Sequence, residues 1–198
     1  HRQYQRHAVH AAAAGMTHHA RRKLVLAAAL LPVVGVQARL APPPEVAAEL
    51  PGARTQGEGR MRFFGLLVYD VRLWAGEPAS ATTWPALPLA LEIEYARDFA
   101  GAAIAERSLK EMQRQAEIAT DTGARWLDAM MRLFPDVRAG DRITGVHRPG
   151  TGARFFVNGR LQGELPDAEF ARLFFGIWLS PRTSEPALRA ALLGAGAR

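Results

Sequence analysis

The side chains of this 198-residue chain that could do chemistry are few, and their spacing removes most reaction classes. There is no cysteine, which excludes disulfides, thiol nucleophiles and thiolate metal sites. Of the six histidines, five lie at or before His19, and only His147 follows residue 38. No His-x-x-x-His pair and no acidic cluster at ligand spacing accompanies it, so neither a metal nor a cofactor is expected. Without a Gly-x-Ser-x-Gly elbow, a lone histidine beside Arg148 lacks the partners of a nucleophilic or acid–base site. It reads as a solvated or locally bonded residue. Gly57-Glu58-Gly59 lacks the third glycine and the following helix of a nucleotide loop, and reads as strand-end flexibility. Asp136 and Asp141 flank a turn, where capping and turn formation account for them.

What is left is arginine and tyrosine on apolar strands. Arg60, Arg62, Arg72 and Tyr69 lie in or beside one hairpin. A guanidinium holds a carboxylate with two bonds and a phenol can add a third. In an apolar cleft such a set would bind an acidic head group, with the tail among phenylalanine, leucine and tryptophan. Strict alternation, however, places Tyr69 with Met61 and Phe63, away from the arginines, which would then line the wet face. A bulge near Gly65 would reverse that relation.

The elements that must position these groups are legible from periodicity. Residues 53–76 read as two strands about Gly65, and Leu89, Leu91, Ile93 and Tyr95 alternate with Glu92 and Glu94 as a half-buried strand. A helix is expected from Gly101 to about Ile118, with Ile104, Leu109 and Met112 inward and Glu106, Arg107, Lys110, Glu111 and Arg114 outward. A second runs from Asp121 or Thr122 to Pro135, with Trp126, Met130, Leu133 and Phe134 on one face. Three strands follow, the last two joined at Asn158-Gly159, the strongest hairpin signal in the chain. Phe170, Leu173, Phe174, Ile177 and Trp178 then form one face of a helix capped by Asp167 and ended by Ser180-Pro181. A short helix carries Leu188, Leu192 and Leu193, with Ser184 as its cap and Gly194 as its stop. Strands and helices in separate blocks argue for an α+β fold with an antiparallel sheet and the helices on one face.

The amino terminus reads as targeting sequence. Met16 precedes a basic Arg21-Arg22-Lys23 head, the apolar run from Leu24 to Gly35, and small residues at Val36 and Ala38. That layout is a secretory signal over residues 16–38, too short to span a bilayer, and it implies a periplasmic protein with no transmembrane segment after cleavage. Residues 1–15 read as an upstream extension, 39–52 as a proline-rich extended lead-in with at most a helical turn around Val46 to Leu50, and 53–194 as one domain. Five of the 25 basic residues and none of the 19 acidic ones fall within residues 1–38, which leaves 20 against 19. With dispersed arginines and no aromatic ladder, nucleic-acid binding is excluded.

Gly57-x-Gly59-x-x-Arg62 with Gly65-x-x-Val68-Tyr69-x-x-x-Leu73-Trp74, the Asn158-Gly159-x-x-x-Gly163 hairpin and the Phe174–Ser184 block together resemble the chalcone isomerase-like proteins, in particular their exported bacterial branch. The resemblance spans roughly residues 53–194. It implies an open-faced β-sandwich: a curved antiparallel sheet, a helical layer on one face and a cleft between. It also implies one of two functions, an isomerase (intramolecular lyase) or a binder of fatty acids that holds the carboxylate with an arginine and a tyrosine. Tyr69 stands where the binders have tyrosine, and Arg60 or Arg62 matches the arginine. The tyrosine and asparagine that the enzymes carry on the first helix have no counterpart between Ala102 and Ile118, and Asp167-Ala168-Glu169 stands where they have a hydroxyl. The expectation is a non-catalytic binder of a small apolar acid, with Arg60 or Arg62 and Tyr69 on the head group and Phe174, Ile177 and Trp178 along the tail. A domain with a filled cleft, serving only as an interaction module, is the third reading.

Overall fold

The computed structural model describes residues 40–197; the expected extension over 1–15 and leader over 16–38 lie outside the described residues. Six strands form one antiparallel meander in sequence order: β1 (Arg54–Phe63), β2 (Leu66–Ala75), β3 (Leu89–Tyr95), β4 (Arg142–Arg148), β5 (Gly152–Val157) and β6 (Arg160–Leu165). Every strand pairs with its chain neighbour, so hairpin turns can set the register step by step. Two of those turns have both central residues at positive φ, Phe64-Gly65 and Asn158-Gly159, as two-residue hairpins require. The inward row of β3 is as expected, with Leu89, Leu91, Ile93 and Tyr95 all buried.

Against the inner face lie α2 (Gly101–Gln113), α3 (Thr120–Leu133), α4 (Ala168–Leu179) and α5 (Pro186–Leu193). Asp136 caps α2, its carboxylate accepting the Gly101 N–H at 2.9 Å, and α2 ends at Gln113, five residues before the expected stop. Asp167 caps α4 by accepting the Phe170 N–H and also accepts the Trp126 indole N–H, both at 2.9 Å, which ties α3 to the start of α4. The apolar face of α4 is the centre of the core. Phe170 packs edge-on against Trp126, and Phe174 meets Phe134, Phe155 and Trp178. Burial of each such ring is worth about 1.5–3 kcal/mol, more than a cap supplies, so packing rather than local propensity holds this helix.

Gly57 and Gly59 have a packing role rather than the flexibility expected of them. They face α5, and a Cβ at Gly57 would strike the carbonyl oxygens of Ala191 and Leu192, while one at Gly59 would strike Leu188. The missing side chains let α5 lie directly on the backbone of β1.

One expectation is extended and one corrected on the outer face. The helical turn expected around Val46 to Leu50 starts earlier and is longer: Pro44–Glu49 forms a helix, α1, on the opposite side of the sheet from the other four. There Val46 packs with Trp74, Ala90, Val146 and Phe156 in a second, smaller core. The Glu45 carboxylate accepts from Arg142 at 2.6 Å and Thr144 at 2.9 Å, and Glu49 from Arg148 at 2.7 Å and Arg154 at 2.6 Å. As a result Glu92, expected in water, is buried and accepts the Trp74 indole N–H at 2.7 Å. Alternation on β3 marks two faces correctly, but local sequence does not say that a helix forty residues earlier covers the second one.

Candidate functional site

A cavity of about 350 Å³ opens between the β1–β3 end of the sheet and helices α2 and α4. Its floor is Met61, Tyr69, Ile93 and Tyr95, its far wall Phe174, Ile177 and Trp178, and its near wall Ala103, Ile104, Arg107, Ser108 and Glu111 of α2. The loop between α4 and α5 closes one side with Ser184 and Glu185. Ala103 and Ser108 are short where α2 crosses the strands, and the Ser108 hydroxyl is spent on the Ile104 carbonyl at 2.8 Å. The helix therefore leaves space that neither side fills. The volume lies at the lower end of the roughly 300–1,000 Å³ range of small-molecule sites. The cleft is open, contrary to the filled-cleft reading.

Inside this apolar space the polar groups are few. Tyr69 accepts the Trp178 indole N–H at 3.0 Å. Among the described residues nothing accepts the phenol's own proton, so the hydroxyl offers a donor to the cavity. Burial pushes the Tyr69 phenol up to about 12, with the Trp178 bond opposing, so at neutral pH it is a proton donor and not a base. Tyr95 stands against it, ring centroids 6.0 Å apart, and burial pushes its phenol up as well. Arg107 is at the rim, its side chain 60% exposed, and reaches Glu111 Oε1 at 2.9 Å. The second oxygen of Glu111 is buried and has no hydrogen bond, though Arg114 lies 3.7 Å from it.

Of the residues singled out from sequence, the structure brings Tyr69, Phe174, Ile177 and Trp178 together around one cavity and leaves Arg60 and Arg62 outside it. The bulge expected near Gly65 exists, but its extra residue is Val68 of β2, between the pairs Met61–Tyr69 and Arg62–Leu67. The alternation of β1 from Gly57 to Phe63 is untouched, so Met61 and Phe63 face the cavity while Arg60 and Arg62 face out. Arg60 pairs with Asp70 at 2.9 Å, and Arg62 donates to the Gly65 carbonyl at 3.2 Å. The cation that does reach the cavity is Arg107, which sequence reading assigned to solvent. The signal was present: Ile104, Ser108 and Glu111 follow at i, i+4 and i+7, so the inward face of α2 continues through them. Tyr95 carries no site signal in the sequence because it completes an ordinary inward row. His147 is neither solvated nor in the cavity. It is 2% exposed, bonds the Leu87 carbonyl through Nδ1 at 3.1 Å, and packs on Phe175 and Trp84. Desolvation lowers its pKa.

Comparison with known proteins agrees with this geometry. An "Uncharacterized protein" of Haemophilus influenzae is 32% identical over 107 residues, 54% of this chain and 52% of that protein, so the match spans about half the length of that relative. Among solved structures, a fatty-acid binding protein of Arabidopsis thaliana superposes with a TM-score of 0.58 over 74% of this chain and 89% of that one, at 12% identity. That likeness establishes the shared fold. A family model described as "Chalcone isomerase-like" matches residues 57–194. With its meander sheet, its layer of four helices and the cleft between them, the chain belongs to the chalcone isomerase-like family.

Proposed function

We propose that the protein binds a small apolar carboxylic acid, such as a fatty acid, in the cavity and does so without catalysis. The observation that carries this reading is the unused Tyr69 O–H in an otherwise apolar space. It is oriented by Trp178, kept protonated by burial and has Tyr95 beside it. A carboxylate at that point accepts from Tyr69 while its tail lies on Ile177, Phe174 and Met61. Arg107 takes the place that sequence reading gave to Arg60 or Arg62: it supplies the positive charge at the rim and exchanges part of its bond with Glu111 for the ligand. The likeness to a fatty-acid binding fold supports the ligand class. Against an isomerase, α2 carries neither the tyrosine nor the asparagine of the enzymes, and Asp167, which begins the stretch where they have a hydroxyl, is spent on capping α4 and on the Trp126 indole. The leader-like residues 16–38 support export to the periplasm, which fusion of residues 1–38 to a periplasm-dependent reporter enzyme tests directly.

Native mass spectrometry of the purified protein, with thermal melts across a series of fatty acids and their methyl esters, tests the ligand. Ligand at about 100 times Kd adds about 2.7 kcal/mol, or a rise of roughly 5–10 °C in Tm for a domain of this size. An acid that raises Tm while its ester does so far less supports the reading. Absence of any retained mass together with unchanged melts refutes it.

A further inference from the structure

The β1–β2 hairpin ends in an apolar tip that the core does not need. Phe63 is 57% exposed, Phe64 90% and Leu66 56%, and the two phenyl rings lie edge to face at 4.5 Å. The backbone offers no reason for this choice. The Phe64-Gly65 turn has φ values of 48° and 78°, nearly those of Asn158-Gly159 at 49° and 82°. The fold therefore builds the same turn twice. One copy has asparagine, the residue suited to positive φ, and the other puts a phenylalanine there and points it into solvent. The tip is also continuous with the cavity, since Phe63 and Val68 line both.

We propose that this tip docks the protein on a lipid bilayer, with Phe63, Phe64 and Leu66 entering the headgroup–acyl boundary and the cavity mouth facing the membrane. Three observations favour a bilayer over a protein partner. The three side chains offer only on the order of 400 Å² of apolar surface, below the ~800 Å² per partner of a stable protein interface. Projecting aromatic and leucine side chains at a turn suit an interface a few ångströms deep. The charge around the tip also fits: from Met61 to Tyr69 there is one basic residue, Arg62, and no acid. Arg97, just beyond the Ala96 N–H to Val68 carbonyl bond at 2.9 Å, has no ion pair among the described residues. Asp70, the first acid down β2, is already paired with Arg60. Such a margin is attracted to anionic headgroups. The proposal stands apart from the cavity's ligand, because docking can be measured with no acid added.

The chain's lack of cysteine makes a site-specific test direct. Phe64→Cys, labelled with an environment-sensitive fluorophore, is compared with Leu161→Cys on the opposite edge strand β6, both in the full chain and both mixed with vesicles of phosphatidylcholine with or without phosphatidylglycerol. Because the leader-like segment of the full chain could itself bind vesicles, the reading taken is local: emission at position 64 shifts to the blue and is quenched by nitroxide-bearing lipids, while position 161 keeps its aqueous emission. In the protein labelled at position 64, Phe63→Ser, whose melting temperature stays near the parent's because the side chain is exposed, raises the vesicle concentration needed for half of the blue shift by at least about tenfold. Arg62→Gln weakens binding only to the phosphatidylglycerol vesicles. Aqueous emission at position 64 in the presence of bound vesicles overturns the proposal. So does a blue shift that grows with protein concentration and needs no lipid, which would mark a protein–protein contact instead.

Discussion

Tyr69→Phe removes one oxygen and affects folding and binding by separable amounts. In folding, the Trp178 indole N–H loses its acceptor at 3.0 Å within a buried ring. An orphaned buried donor costs about 1–3 kcal/mol, which for a domain of this size lowers Tm by roughly 2–12 °C. Replacing Trp178 as well, in Tyr69→Phe/Trp178→Phe, removes the orphan, so the double variant is less destabilised than the two single losses combined. In binding, the bond lost is one to a charged acceptor, about 1.5–3 kcal/mol, or roughly a ten- to hundredfold rise in Kd for the acid. The methyl ester, which does not present a carboxylate, is affected less. The assay is calorimetric titration of both ligands into parent and variant, alongside denaturant melts. A pH series adds a sign. The folded Tyr69 phenol is raised from 10.0 to about 12, so its share of stability is complete below pH 10 and is lost as pH rises toward 12. Tyr69→Phe removes that share, and the Tyr95 share persists with the same sign. If Tyr69→Phe folds and binds the acid within about twofold of the parent, the phenol is not the head-group donor and the site as drawn is refuted.

Three other outcomes follow from the same geometry. Arg107→Gln weakens acid binding by about 1–2 kcal/mol and leaves the ester unaffected, whereas Arg60→Gln/Arg62→Gln changes neither in calorimetric titration; the reverse pattern would restore the sequence-based assignment. His147 is buried and neutral, and its lowered pKa means that its share of stability is complete above about pH 6.5 and is lost as pH falls below that value; His147→Gln flattens the acid side of the stability–pH curve measured by urea melts. Gly57→Ala drives a methyl group into the Ala191 and Leu192 carbonyls, which displaces α5 and costs at least about 3 kcal/mol in urea melts, while Gly76→Ala, where a Cβ meets nothing, changes stability by less than about 0.5 kcal/mol.

The sequence alone determined those features that depend on near neighbours in the chain. The alternation of Leu89 to Tyr95, the face from Phe170 to Trp178, the Asp167 cap and the Asn158-Gly159 turn are local properties, and each is in place. Periods of two residues in a strand and 3.6 in a helix fix which side chains of one element share a face, and that was enough to group Phe174, Ile177 and Trp178; Tyr69 shares a face with Met61 only because the extra residue Val68 offsets the two-residue turn. Tertiary structure decided what each face meets. Whether Glu92 lies in water or under α1, whether Gly57 is slack or a contact point for α5, and whether a cation at the cavity comes from β1 or from α2 depend on elements tens of residues apart. Arg107 is the clearest case: on the helix alone it is one half of a surface pair with Glu111, and only the crossing of α2 over Tyr69 and Tyr95 puts that pair at the rim of an apolar cavity. Periodicity carries direction within an element, while the docking of one element on another is set by the sum of many weak packing contacts, and no short stretch of sequence contains that sum.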